Sequence, residues 1–240
     1  MIVTDGTKSR SLADLAAALH GTADLPGVAR VAVDWIARFL PGTSASIMLS
    51  QHRTPVAVAA SVPSLRRVDD LQIKLGQGPS LDVLHGATMV QSPDLFMDPK
   101  WRPWAEPAVQ LGWRSWLSLR MMSRNRNTLG VLNFALAKPD ALDPDYIRLA
   151  GAVTAHVSVA LDITRVRENL MIALDTQAQV GLAVGILMER FEIDGDRAFK
   201  VLKRYSQDLH IKLRDVADQL VRSGELPAPP TTASRSGWPA

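Results

Sequence analysis

Two short stretches of this chain hold residues whose types and spacing could do chemistry. Between positions 200 and 214 stand Lys200, Lys203, Arg204, Lys212 and Arg214, with Ser206 and His210 among them. On a helix, Lys200, Lys203 and Arg204 cluster within about one turn. Such cations neutralise phosphates, and a hydroxyl or an imidazole can donate to, or stack on, exposed bases, which is the equipment for holding structured RNA. A solvated helix face carries the same pattern. Basic and acidic residues balance between Arg165 and Glu225, so any polyanion-binding surface there has to be a local stripe. The second stretch is Trp101-Arg102-Pro103-Trp104, joined closely by Trp113 and Trp116, so that four of the six tryptophans crowd together. Core packing is the plain use of such residues. The sharper one is a small-molecule site in which Trp101, Arg102 and Trp104 supply aromatic walls and a cation.

Several chemistries are excluded outright. There is no cysteine, hence no disulfide, thiolate metal site or cysteine nucleophile. The five histidines (His20, His52, His85, His156 and His210) are scattered, and none pairs with another at metal-ligand helical spacing. No Gly-x-Ser-x-Gly elbow and no phosphate-cradling Gly-Lys-Ser/Thr loop occurs, and Gly76-x-Gly78 reads as a turn. The expectation is a protein that is not an enzyme and uses no cofactor or metal. Apolar residues make up 47% of the 240 residues, and the net charge is only +3, so the chain can bury a real core. The N-terminus lacks the basic-then-apolar order of a signal peptide, and no uncharged apolar run reaches about 18 residues. The expected compartment is the cytoplasm, with no membrane partner.

The elements that must position these residues follow from periodicity. Ser11 and Asp14 form a capping-box pattern at the start of a helix to residue 20. A second helix starts near Asp24 with Pro26 in its first turn, buries Val28, Val31, Ala32, Trp35, Ile36 and Phe39, and stops at Pro41-Gly42. β-capable segments follow at 44–50, 54–61 and 71–75. A turn at 76–79 leads into a helix over Ser80–Leu84. A strand at 89–91 precedes a long loop holding Trp101–Trp104, then a helix over Ala105–Leu111 and strands at 115–122 and 129–137. Helices gathered at the ends of strands that can pair by hairpins predict an α+β domain with a largely antiparallel sheet. From Tyr146 to Arg190 no proline intervenes, predicting a helix long enough to connect two bodies or pair with a partner. Val153, Val157, Ala160, Thr164, Met171, Leu174, Ala178 and Gly181 recur every three or four residues, interrupted at Arg167, as in an imperfect coiled-coil seam; a homodimer is expected. Two short amphipathic helices, 195–209 and 213–221, follow. Gly181-x-x-x-Gly185, with Ala178, allows close approach of another helix or of a nucleic-acid backbone, and packing within the module is the expected use.

Residues 25–162 resemble a GAF domain of the actinobacterial regulatory type. The resemblance rests on Leu75-Gly76-Gln77-Gly78-Pro79-Ser80-Leu81-Asp82, Asp94-Leu95, Trp101-Arg102-Pro103-Trp104, Gly112-Trp113-Arg114-Ser115, Leu129-Gly130-Val131-Leu132-Asn133-Phe134 and Ala155-His156-Val157-Ser158-Val159-Ala160-Leu161. It implies a cytoplasmic small-molecule sensor on a six-stranded antiparallel sheet with helices packed on it. Residues 163–226, linker helix included, resemble an ANTAR domain, an all-α three-helix module that binds RNA stem-loops. That likeness rests on Ala183-Val184-Gly185-Ile186-Leu187-Met188, Ala198-Phe199, Leu202, Ser206 and Lys212-Leu213-Arg214-Asp215-Val216-Ala217. Residues 1–24 form a helical extension and 227–240 a disordered tail. The resemblance implies a transcription antitermination regulator whose paired modules grip stem-loops in a nascent transcript. One departure stands out: the family's usual Gln-Ala-Lys-Gly is here Leu182-Ala183-Val184-Gly185. Three rival readings stay open: a DNA-binding transcription regulator, a ligand-binding enzyme whose GAF-like domain does chemistry without cysteine redox, and a dimerisation or protein-interaction module with a degenerate RNA face, which the departure favours.

Overall fold

The computed structural model describes residues 5–227, with side chains from residue 12; the tail expected to be disordered lies, apart from Pro227, outside them. Helix α1 (Asp5–His20) starts upstream of the capping box read from sequence, and α2 (Leu25–Phe39) starts where expected. Asp24 caps α2, its carboxylate accepting from the Gly27 amide at 2.7 Å. Leu15 and Leu19 of α1 are buried beside Val28, Ala32, Val33 and Ile36 of α2.

Strands β1 (Thr43–Gln51), β2 (Thr54–Ala60), β3 (Met89–Ser92), β4 (Ser115–Met122) and β5 (Thr128–Leu136) make one antiparallel sheet in the order β2-β1-β5-β4-β3. The sheet has five strands rather than the six expected, because residues 71–75 end a helix, α3 (Pro63–Leu75), instead of forming a strand. The alternation read there is only five residues long. Over the whole segment the buried positions are Leu65, Val68, Asp69 and Gln72, the spacing of one helical face. Pro63 opens α3 and Gly76, at φ +65°, closes it. Helix α4 (Pro79–Leu84) follows at once.

The two-residue side-chain period of the central strands sorts them into two faces. Ala45, Ile47, Leu49, Leu117, Leu119, Met121, Leu132 and Phe134 point to α1, α2 and the start of α6 (Pro144–Phe191), where Ala150, Val153, Val157 and Leu161 complete the core. Trp116 and Ala135 point the other way, to a second core with Leu65 and Val68 of α3 and Trp104, Ala105 and Ala108 of α5 (Arg102–Gln110). The segment Arg102-Pro103-Trp104 is thus helical, not loop. Trp101, at φ +52°, turns the chain into the helix and Pro103 occupies its first turn.

The chain divides into two compact units between Val166 and Arg167, inside α6. In the second unit, Ala183 and Leu187 of α6, Ala198 and Leu202 of α7 (Gly195–Leu209), and Val216, Ala217 and Leu220 of α8 (Leu213–Ser223) form a separate small core. Gly181 and Gly185 have nothing within 4 Å of where a Cβ would stand, so the close packing within the module expected from that pair does not occur. By length and composition alone α6 could cross a bilayer: it has an 18-residue window of mean hydropathy 1.5, of which 11% is buried.

Candidate functional site

In the second unit, local capping fixes where the candidate cations stand. Asp194 caps α7, accepting from the Arg197 amide at 2.8 Å. His210, at φ +55°, ends α7 in the left-handed conformation. Ser206 donates its hydroxyl to the Ile211 carbonyl at 2.7 Å, which ties the turn and leaves its oxygen lone pairs as acceptors. Lys200, Lys203, Arg204, His210, Lys212 and Arg214 are exposed and Ser206 is half-buried. Two of the cations are committed, Arg204 to Asp208 at 3.5 Å and Arg214 to Asp215 at 3.1 Å. Lys200, Lys203 and Lys212 have no carboxylate within ion-pair reach among the described residues. Leu182, at the family's glutamine position, is 56% exposed, and Val184 is half-buried at the edge of the small core.

The three residues proposed for the sensory pocket face two ways: Trp101 and Trp104 pack edge-on in the second core, ring centroids 6.4 Å apart, and Arg102 faces outward. Trp104 is fully buried, with its indole donating to the Val68 carbonyl at 3.0 Å and its ring edge-on to Trp116 at 4.9 Å. Trp101 is buried and donates to Asp82 at 3.2 Å. Arg102 alone is exposed. It lines a cleft of about 440 Å³ with Leu95, Phe96, Asp98, Ala105, Glu106, Val109 and Gln110. Beside that cleft Asp94 and Arg114 form a bidentate pair at 2.7 and 2.6 Å, and the Arg114 guanidinium holds the Asp94 carboxyl below the usual carboxylate range.

Sequence reading missed a buried polar layer between the sheet and α3–α4. Ser46, Asn133 and Ser118 are cross-strand partners on β1, β5 and β4, so their side chains lie side by side on one rung. All three are fully buried, as are Asp69, Gln72 and Ser80. Asn133 accepts from Ser80 at 2.9 Å and Ser118 at 2.7 Å, and donates to Ser46 at 3.2 Å and Asp69 at 3.3 Å. Gln72 accepts the Ser80 amide at 2.8 Å and donates to its hydroxyl at 3.0 Å. A Cβ at Gly78 would stand 2.4 Å from the Gln72 amide oxygen, so glycine is required for that approach. Trp116 extends the network by donating to Ser118 at 2.9 Å. One carboxylate oxygen of Asp69 has no partner. Burial is the main reason its pKa is pushed up to about 7, against hydrogen bonds from Ser46 and Asn133 that lower it.

The architecture is a three-layer domain, helices on both faces of an antiparallel sheet, followed by an all-α module. The GAF domain model matches residues 22–162 and the ANTAR domain model residues 168–221. The chain therefore belongs to the GAF domain family and carries a C-terminal ANTAR domain, the kind of protein that couples signal sensing to RNA-binding antitermination control. No curated protein matches the sequence. Among solved structures, the GAF domain of an Acinetobacter phosphoenolpyruvate-protein phosphotransferase is similar at 13% identity and a TM-score of 0.53, covering 69% of this chain and 99% of that one. The GAF domain of its Coxiella burnetii counterpart gives 18% and 0.54, covering 68% and 95%. A free methionine-R-sulfoxide reductase from Neisseria meningitidis gives 12% and 0.53, covering 69% and 95%. At such identities the likeness is one of fold, which regulators and an enzyme share.

Proposed function

We propose that this protein is a cytoplasmic antitermination regulator, not an enzyme, that senses a small molecule through its GAF domain and binds RNA stem-loops through its ANTAR domain. The observation that carries the RNA reading is the set of uncommitted lysines, Lys200, Lys203 and Lys212, on the exposed side of α7 and at the entry to α8. A titration of the full chain with tandem stem-loop RNA, a single stem-loop and duplex DNA, each at two salt concentrations, tests it. Tandem stem-loops should bind tightest, since two linked weak contacts gain from effective concentration. Preference for the duplex would instead support the DNA-binding reading. Leu182, apolar and exposed, favours the protein-interaction reading, and that reading prevails if no nucleic acid binds.

The homodimer would form along α6. Val153 and Val157 of the seam read from sequence lie inside the sensory core. Among the apolar residues that α6 leaves at the surface, Val159, Ile163, Val166, Leu170 and Leu174 are each more than half exposed and recur every three or four residues. A second copy is their fitting cover. The helix is shared between two soluble domain types and bears Arg165, Arg167, Glu168 and Asp175 beside this stripe, which argues against lipid. Leu174→Glu should weaken the dimer by about tenfold or more, because a carboxylate in a seam must lose its water. Sedimentation across a concentration series checks this, and a variant that dimerises like the parent chain would place the seam elsewhere.

A further inference from the structure

The cleft beside Arg102 has a composition that selects among ligands. Its apolar walls are Leu95 and Phe96 on one side and Val109 of α5 on the other, and its charged groups are Arg102, Glu106 and Asp98. Arg102 and Glu106 stand one turn apart on α5, where opposite charges commonly pair. Here they do not: among the described residues neither makes an ion pair or a side-chain hydrogen bond. Asp98 spends one oxygen on the Lys100 amide at 2.9 Å and keeps the other. A cation and an anion without partners, and a second anion with one free oxygen, thus border one apolar hollow. At about 440 Å³ it lies in the lower part of the range of small-molecule sites.

The loop wall of this cleft is fixed in advance. Asp94 grips Arg114 through two hydrogen bonds and also accepts the Phe96 amide at 3.1 Å. The Arg114 guanidinium lies over the Phe96 ring at 5.4 Å. The Leu95 amide donates to the Arg114 carbonyl at 2.7 Å. At the other end Asp82 holds both Trp101 and Lys100, and Lys100 lies over the Trp101 ring at 4.6 Å. A wall held in place by these contacts need not be ordered by its ligand, which favours binding of small molecules.

We propose that this cleft binds a free α-amino acid with an apolar side chain, as a zwitterion. Arg102 takes the carboxylate in the bidentate manner its planar fork allows. Glu106 and Asp98 share the ammonium, and the side chain lies against Leu95, Phe96 and Val109. The proposal rests on the reading of this domain as a small-molecule sensor and names the ligand class for it.

The test is calorimetry on the full chain with L-leucine and L-phenylalanine, beside isocaproate and isoamylamine, which each keep only one of leucine's charges. Trp101, at the head of α5, gives a fluorescence check on the same titrations. The amino acids should bind, and each one-charge analogue should bind about tenfold or more weaker. Arg102→Gln and Glu106→Gln should each weaken leucine binding by a similar factor; both side chains are exposed, so the melting temperature should hold. Equal affinity for leucine and a one-charge analogue would overturn the zwitterion assignment. If no amino acid binds while another metabolite binds in an Arg102-dependent way, the ligand class is wrong and the sensor reading stands. If nothing in a metabolite panel binds, both fail.

Discussion

Replacing Asp69 with Asn should stabilise the sensory domain by roughly 4 kcal/mol at alkaline pH and hardly at all near pH 4. The figure follows from the carboxyl's rise from 3.8 to about 7 on folding, at about 1.4 kcal/mol per pH unit. Because the folded-state value is the higher one, the folded domain binds the extra proton. Its stability is greatest below the unfolded value, falls as pH rises from about 4, and levels off above about 7. The penalty at high pH is that of a carboxylate enclosed among neutral donors, with one oxygen unpartnered. Asn at this position keeps an acceptor for Ser46 and Asn133 and carries no charge. Five of the six tryptophans lie in this domain, so urea unfolding followed by tryptophan fluorescence reports on it in the full chain. The parent should lose midpoint steadily between about pH 4 and pH 7 and change little above that, and the variant should be nearly flat. Parallel profiles for the two proteins would mean that Asp69 is not the group that titrates.

This buried layer marks the limit of what a linear reading reaches. Ser46, Ser118 and Asn133 are unremarkable in sequence, each a polar residue inside an apolar strand. What joins them is cross-strand register, which depends on pairing between residues 87 and 15 positions apart. Asp69 and Gln72 carried a signal that could have been used. Leu65, Val68, Asp69 and Gln72 share a helical spacing, and an acid on a buried helical face is an anomaly worth pursuing. It is hidden because Leu71–Leu75 alternates with the period of a strand, and five residues fit either period.

Other elements were legible for identifiable reasons. Asp24 with Pro26 before α2, and Asp194 before α7, are capping residues whose side chains accept hydrogen bonds from Gly27 and Arg197. The segment 102–104 failed because Arg-Pro-Trp looks irregular, yet proline is at home in a first helical turn and Trp101 takes the unusual backbone conformation that delivers it. That turn explains why Arg102 parts company with Trp101 and Trp104, which pack together in the core. One period of α5 sends Trp104 into the core and leaves Arg102 on the surface, with Glu106 beside it in the same cleft. The α6 seam divided in a similar way. A long apolar repeat does not reveal which turns a chain's own sheet will cover, and here the sheet covers Val153 and Val157.

The combined variant Lys200→Ala, Lys203→Ala, Lys212→Ala should lose most of the affinity for stem-loop RNA and much of its salt dependence. Each lysine that neutralises a phosphate contributes about 0.7 to 0.9 to the slope of log affinity against log salt, so three should lower it by roughly 2 to 3. At low salt the loss should be about a hundredfold or more, and it should shrink as salt rises. Arg204→Ala with Arg214→Ala is the informative contrast. Those guanidiniums already face Asp208 and Asp215, so each contact they make with RNA has to compete with a standing pair. Their removal also frees two carboxylates to repel phosphate, so affinity should fall while the slope changes less per residue removed. All five side chains lie outside the core of Ala183, Leu187, Ala198, Leu202, Val216, Ala217 and Leu220, so helicity and dimerisation should persist in both variants. Filter binding at four or more salt concentrations gives affinity and slope together. A triple variant whose slope equals that of the parent would remove these lysines from the RNA interface, whatever its affinity.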